Sequence, residues 1–134
     1  MRVSITGNET SVLRSIEAKA FVPAKDFDVS KQFYLDIGFS VVWSTQELAY
    51  FRHGSSTFLL QNYFVKEYVD SFKMHLLVEN VEDWWQHVQD SGIAERFGVS
   101  IEPPQDRPWG MRDFVLFDPS GVLWRVGQPI ARVA

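Results

Sequence analysis

The hydrophobic positions in the first half of the chain predict one strand, one helix and three further strands. Apolar and polar residues alternate from Ser15 to Lys25, as on the two faces of a strand. A helix is predicted next, because Asp28 can cap its first turn, apolar residues recur at four-residue spacing, and Gly38 can end it. Short apolar runs bounded by polar turns predict three more strands, at residues 39–43, 47–52 and 57–61.

The second half repeats this order. A strand is predicted from Phe72 to Glu79, and a helix from Asn80, which can cap it, to Gly92, which can end it. The distance along the chain from Asp26 to Asn80, at the two helix entries, equals the distance from Gly38 to Gly92, at the two helix ends. Three further strands are predicted at residues 99–102, 111–117 and 123–126.

The repeat predicts an α+β fold made of two βαβββ modules. One helix cannot cover the sheet of its own module, but two modules can curl their mixed sheets around a shared concave cleft with the helices outside. A chain of 134 residues has the length of one domain. We therefore predict an N-terminal extension at residues 1–14 and a single domain at residues 15–128, with modules at about 15–63 and 72–128.

An aromatic loop and a tight turn flank the predicted strand at residues 111–117. Pro108 restricts the backbone on one side of Trp109 and Gly110 relaxes it on the other, so a large indole is presented on a short loop. The sequence Asp-Pro-Ser-Gly at residues 118–121 predicts a turn into the last strand.

Composition and charge exclude several classes of function. A net charge of −4, with no run of five basic residues, is not that of a nucleic-acid-binding surface. The absence of cysteine excludes disulfides, thiolate catalysis and cysteine-ligated zinc. No apolar run is long enough to span a membrane and no export signal is evident, so a cytoplasmic protein is expected. Five Trp and eleven Phe are consistent with a pocket for a planar or apolar ligand.

The paired pattern and its motifs resemble the vicinal oxygen chelate superfamily, which comprises glyoxalase I, extradiol dioxygenases and bleomycin-resistance proteins. The Trp-Gly loop is most similar to the bleomycin-resistance branch. The resemblance covers about residues 16–128, and the residues that carry it are Asp26, Phe33, Tyr34, Gly38, Phe39, Pro108, Trp109, Gly110 and the Asp-Pro-Ser-Gly turn at 118–121.

The resemblance also implies where a metal ion would be held. Metal-dependent members of the superfamily place His, Glu or Gln ligands in the first and last strands of both halves. Here those positions fall on Lys19, on Leu59 or Gln61, on Lys73 and on Arg125. Lysine at neutral pH and arginine have no lone pair to offer a divalent cation, so we expect no bound metal and no cofactor.

One histidine offers an alternative metal reading. His75 lies two residues after Lys73 and therefore on the same face of that strand, where a shift in register would make it a ligand. Without a second His, Glu or Asp at a matching position, we interpret it as a residue of the pocket wall.

Three cations and several aromatic residues are predicted to face one cleft. Grouping cations in a partly desolvated site is costly unless an anion accompanies them, which favours a small aromatic or anionic ligand over the cationic drug bleomycin. The predicted ligand-binding residues are Lys19, Phe21, Trp43, Gln61, Lys73, His75, Trp109 and Arg125.

Two functions follow from these residues and the resemblance. The first is a metal-independent protein that binds and sequesters a small molecule, as in antibiotic resistance. The alternative is an enzyme of the same superfamily, a glyoxalase-like lyase or isomerase or a dioxygenase, with a displaced metal site or with proton transfer by His75, Glu102 or Asp113. Glu102 and Asp113 lie on neighbouring predicted strands, and we interpret both as surface-facing charges, so no catalytic residue is assigned. The resemblance further implies a homodimer, with the modules paired either within one chain or across two.

Overall fold

A computed structural model describes residues 12–131 of the protein. Most of the predicted N-terminal extension, residues 1–11, lies outside the described residues. In chain order the elements are β1 (Phe21–Pro23), α1 (Phe27–Ile37), β2 (Ser40–Ser44), β3 (Leu48–His53), β4 (Ser56–Gln61), α2 (Lys66–Ser71), β5 (Lys73–Leu77), α3 (Val81–Asp90), α4 (Ile93–Phe97), β6 (Ile101–Asp106), β7 (Met111–Phe117) and β8 (Leu123–Pro129). No helix within residues 12–131 is long and apolar enough to cross a membrane.

The strands form two four-stranded mixed sheets with the same topology. The first sheet has the order β1-β4-β3-β2 and the second the order β5-β8-β7-β6. In each sheet the first strand pairs in parallel with the last, and the other pairings are antiparallel. Neither sheet closes into a barrel. The predicted α+β class and the repeated order of strands are confirmed.

The start and end of α1 follow from local chemistry. Asp26, and not Asp28, caps the helix, because its carboxylate accepts a hydrogen bond from the backbone N–H of Val29 at 3.2 Å. Gly38 ends it with φ at 123°, a conformation that glycine adopts without strain. Phe33 is buried as its spacing predicts, whereas Val29 is exposed.

The helical region of the second half differs from the prediction. Asn80 caps α3 as expected, accepting a hydrogen bond from the N–H of Asp83. The helix ends at Asp90, and Gly92 in a left-handed conformation then starts the short helix α4, which the sequence pattern did not predict. The one-and-a-half-turn helix α2 was also missed, because so short an element has too few positions to show a period.

Several strand limits differ as well. β1 spans three residues, not the eleven predicted from Ser15 to Lys25. β6 lies later than predicted, at Ile101–Asp106, and β8 continues to Pro129. Strand β7 has the predicted limits.

Both halves contribute to one hydrophobic core between the sheets and the helices. The hydroxyl of Tyr34 on α1 donates to the carboxylate of Asp118 at 2.6 Å and accepts from the indole N–H of Trp124 at 2.9 Å, and all three side chains are buried. The first half is therefore hydrogen-bonded through the core to the last turn and strand of the second. Each sheet turns one face to this core. We call the opposite face the open face, although its central side chains, Leu59 and Tyr50 in the first sheet and Val115 and Asp113 in the second, are buried.

Candidate functional site

The open face of the first sheet carries a row of large side chains. Strand register aligns Phe21, Leu59, Tyr50 and Trp43 across β1, β4, β3 and β2. Gln61 lies two residues from Leu59 and therefore on the same face. Phe21 is 49% exposed and Trp43 is 44% exposed at the two ends of this row, whereas Leu59 and Tyr50 between them are buried.

A carboxylate and two cations surround Tyr50 on this face. The Tyr50 hydroxyl donates to Glu17 at 2.9 Å, while the ammonium of Lys19 lies 4.9 Å from the Tyr50 ring centroid and 3.4 Å from the Glu17 carboxylate. Arg52 donates to the Tyr50 hydroxyl at 3.3 Å. The pKa of Glu17 is lowered most by the hydrogen bond from Thr57 and next by the hydrogen bond from Tyr50. The charge of Lys19 makes a smaller contribution.

The open face of the second sheet is arranged in the same way. His75, Arg125 and Val115 are in register across β5, β8 and β7, and Lys73 lies two pairs away on the same face, opposite Leu123. Lys73 and His75 are exposed. This face therefore carries three of the predicted ligand-binding side chains.

The predicted aromatic loop stands beside Arg125. Trp109, between β6 and β7, is 60% exposed, and the Arg125 guanidinium lies over its ring at 5.5 Å from the centroid. Arg125 and Arg107 both donate to the same oxygen of Asp113, at 3.1 Å and 2.9 Å. Asp113 was interpreted as a surface carboxylate, which is wrong: its side chain is fully buried beneath the two arginines.

The eight predicted binding residues divide equally between the two sheets. Lys19, Phe21, Trp43 and Gln61 belong to the first open face, and Lys73, His75, Trp109 and Arg125 to the second. Within residues 12–131, no hydrogen bond, ion pair or ring contact joins the first four to the second four. A cavity of about 360 Å³ lies between the sheets, and Glu17, Thr57 and His75 are among its lining residues.

The residues at the superfamily's metal positions do not fit a metal ion. Lys19, Lys73 and Arg125 have no lone pair available, and Lys19 and Arg125 are already bonded to carboxylates. Across residues 12–131, no three His, Asp or Glu side chains lie close enough to hold one ion together. A shift in register does not rescue His75 as a ligand, because its partner across the sheet is Arg125.

The carboxylates change the electrostatic argument about the ligand. The predicted cleft had three cations without compensating charge, whereas Glu17 accompanies Lys19, and Asp113 accompanies Arg125. An anionic ligand is therefore not needed to offset Lys19, but Asp113 is shared by Arg107 and Arg125, so one positive charge remains there and the objection to a cationic ligand such as bleomycin stands for the second face. Lys73 forms no ion pair within the described part of the chain.

The carboxylates suggested for proton transfer are also constrained. The register places Glu102 opposite Val115 and Asp113 opposite Gln105, so the two acids are not paired across the strands. Asp113 is inaccessible and doubly ion-paired. It is thus poorly suited to accept a proton from a ligand.

Five residues on the open faces were missed, and some left a signal in the sequence. Glu17 lies two residues before Lys19, which places it on the same side of an extended chain, and Tyr50 and Arg52 alternate along β3. Thr57 and Arg107 gave no comparable signal, because each matters only through a partner that is distant or buried in the fold.

Two open, mixed four-stranded sheets, each starting with a β-α unit and sharing one core, define an α+β protein of the paired βαβββ type. The chain belongs to the Glyoxalase/Bleomycin resistance protein/Dioxygenase superfamily, whose sequence profile matches residues 17–126.

Individual relatives are consistent with this assignment. A bleomycin resistance protein from Klebsiella pneumoniae is 25% identical over 118 residues, which cover 84% of this chain and 91% of that protein. The crystal structure of a bleomycin-binding protein complexed with bleomycin has a TM-score of 0.73 at 23% identity, covering 85% of this chain and 98% of that one. Lactoylglutathione lyase from Agrobacterium tumefaciens has a TM-score of 0.64 at 20% identity, covering 88% and 96%. At these identities the solved structures show a shared fold.

Proposed function

We propose that this protein binds and sequesters a small aromatic molecule, without a bound metal ion, on the open faces of its two sheets. The observation that carries the proposal is the exposure of Phe21, Trp43 and Trp109 beside polar groups, some of which are held in ion pairs. Exposed aromatic side chains next to fixed polar groups are typical of sites for planar ligands. The similarity to bleomycin resistance proteins supports binding over catalysis.

The proposal includes a homodimer. Each open face has half of the predicted binding residues. A complete cleft therefore combines a first face with a second face, either from two copies of the chain or within one chain. The exposed rings of Phe21, Trp43 and Trp109 favour the pairing of two copies, because aromatic side chains are enriched at protein interfaces.

A thermal-shift assay with bleomycin and with flat aromatic acids such as 2-naphthoate tests ligand binding. A ligand that binds only the folded protein raises its melting temperature. We expect a hit to stabilise the wild type and a Tyr68→Ala control, which removes an exposed ring outside the proposed site, but not Trp109→Ala. Equal stabilisation of all three proteins would contradict the role of Trp109.

Metal analysis separates this proposal from the enzymatic alternative. We expect the purified protein to contain no stoichiometric nickel, zinc, iron or manganese, and to bind none after incubation and dialysis. A stoichiometric metal with lyase or dioxygenase activity would favour the enzyme and overturn the proposal.

Mixing two defective variants tests how the cleft is assembled. If clefts join the first face of one copy to the second face of its partner, mixing Trp43→Ala with Trp109→Ala and allowing subunit exchange rebuilds about one intact cleft in four. Binding then returns in the mixture although each variant alone has lost it. Absence of recovery, with exchange verified by mass spectrometry, would indicate clefts closed within one chain.

A further inference from the structure

Asp113 is held on the open face of the second sheet in a way that depends on its neighbour across the strands. The register pairs it with Gly127 of β8. A Cβ atom at Gly127 would lie 2.7 Å from the Cβ of Asp113 and 2.9 Å from the backbone oxygen of Arg112. Only a residue without a side chain therefore allows the Asp113 carboxylate to pack so closely against the sheet.

The carboxylate is held by two guanidinium groups that come from different elements. Arg107 precedes the Trp109 loop and Arg125 lies in β8, and both donate to one oxygen of Asp113. The second oxygen of Asp113 and one terminal nitrogen of Arg107 are buried without a hydrogen-bond partner among residues 12–131. A buried ion cluster that is incompletely hydrogen-bonded contributes little net stability, so its main physical effect is to fix the positions of its members.

Both arginines act on Trp109. The backbone N–H of Arg107 donates to the oxygen of Met111 at 2.7 Å, and its backbone oxygen accepts from Gly110 at 3.1 Å, so Arg107 forms the base of the loop. The Arg125 guanidinium lies over the indole ring. Asp113 thus anchors the base of the loop through Arg107, and it anchors the Arg125 guanidinium, which lies over one face of the indole. The indole is nevertheless 60% exposed.

We infer that Asp113 is a positioning residue: through Arg107 and Arg125 it fixes the plane of Trp109, so that the exposed side of the indole is a rigid platform that prefers flat rings. A platform that is ordered before binding loses less conformational entropy when a ligand stacks on it. The preference for flat ligands rests on the proposed function, whereas the fixing of Trp109 does not.

Fluorine NMR of the ligand-free protein labelled with 5-fluorotryptophan tests the fixing of Trp109. We expect Asp113→Asn and the milder Arg107→Lys to shift and sharpen the Trp109 resonance, as a ring gains mobility, and to leave the resonance of buried Trp124 in place. Glu67→Gln, which removes one exposed carboxylate on α2, is the matched control and should change neither signal. An unchanged Trp109 resonance in both variants would overturn the inference, as would equal changes at Trp124, which would indicate a general loss of structure.

A double-mutant cycle shows whether Asp113 acts through Arg125. In an Arg125→Met background we expect Asp113→Asn to have a much smaller further effect on the Trp109 resonance, because the guanidinium over the indole is already absent. Additive effects of the two substitutions would contradict the proposed path.

The ligand preference is tested with 2-naphthoate and its saturated counterpart, decahydro-2-naphthoate. We expect the wild type to bind the flat acid about tenfold more tightly, the scale of one good ring-stacking contact, and Asp113→Asn to lose most of this preference. Equal affinities in the wild type would refute the preference for flat rings. If the wild type binds neither acid, nor bleomycin, the proposed function fails, and the fluorine spectra alone decide the role of Asp113.

Discussion

Replacing Tyr34 by phenylalanine should destabilise the protein far more than the loss of one hydroxyl suggests. The hydroxyl donates to Asp118 at 2.6 Å and accepts from the Trp124 indole at 2.9 Å, and these groups are buried. Phenylalanine has no hydroxyl, so one carboxylate oxygen of Asp118 and the indole N–H of Trp124 lose this hydrogen-bond partner. A lost hydrogen bond to a charged group costs about 1.5–3 kcal/mol, and an unsatisfied neutral group costs about 1 kcal/mol or more.

These costs add to about 3 kcal/mol. With an unfolding entropy of about 2.1 cal/mol/K per residue, a chain of 134 residues has roughly 280 cal/mol/K, so the melting temperature should fall by about 10 °C. Calorimetry and urea unfolding measure both quantities. Tyr63→Phe, which removes the same hydroxyl from an exposed ring, should change the free energy of unfolding by less than about 0.5 kcal/mol.

The pH dependence identifies the ionised partner. Burial raises the pKa of Asp118, and the hydrogen bond from Tyr34 is the largest of those that oppose this shift. Because the pKa of Asp118 is raised in the folded state, the ionised carboxylate destabilises the fold. This destabilisation develops as the pH rises through that pKa and is lost on acidification. Without Tyr34 the pKa of Asp118 rises further, so the destabilisation by Tyr34→Phe should shrink as the pH falls from neutral through this raised pKa. A loss below about 1 kcal/mol, or one that does not vary with pH, would refute this reasoning.

Three further predictions follow from local geometry. Gly127→Ala should lower the free energy of unfolding by about 1–3 kcal/mol in urea, because its Cβ overlaps Asp113 and the backbone; a change below about 0.5 kcal/mol would contradict the close packing. Asp26→Ala should cost about 1 kcal/mol in thermal unfolding, whereas Asp26→Asn, which can still cap α1, should cost less. Thr57→Val should raise the pKa of Glu17 toward its ordinary value in a carbon-detected NMR titration, since the Thr57 hydrogen bond is the largest cause of the lowered pKa; an unchanged pKa would exclude that bond.

Features that depend on neighbours in the sequence could be predicted. Asn80 and Gly38 start and end helices through their own side-chain and backbone chemistry, and the turn at 118–121 closes with the expected hydrogen bond from the N–H of Gly121 to the oxygen of Asp118. The division of residues between the two faces of a strand follows from alternation: in β1, Phe21 is exposed and the next residue, Val22, is buried.

Features that depend on pairing across the sheets could not be predicted. The burial of Asp113 requires Gly127 on the neighbouring strand and Arg107 at the base of a loop, and no local pattern in the sequence connects these three residues. A charged residue in an alternating strand is usually exposed, so the sequence alone favoured the wrong interpretation.

The two open faces share one arrangement that the sequence did not reveal. On the first, Lys19 lies over the ring of Tyr50 and pairs with Glu17; on the second, Arg125 lies over Trp109 and pairs with a buried carboxylate. Each trio holds an aromatic ring against an ion-paired cation, but Asp113 also pairs with Arg107, so the second group keeps one positive charge. Lys19 and Arg125, which we predict at the positions of the superfamily's metal ligands, are each held by a carboxylate. Recognition in the proposed cleft should therefore depend on ring stacking and shape, together with the positive charge that remains at the second face.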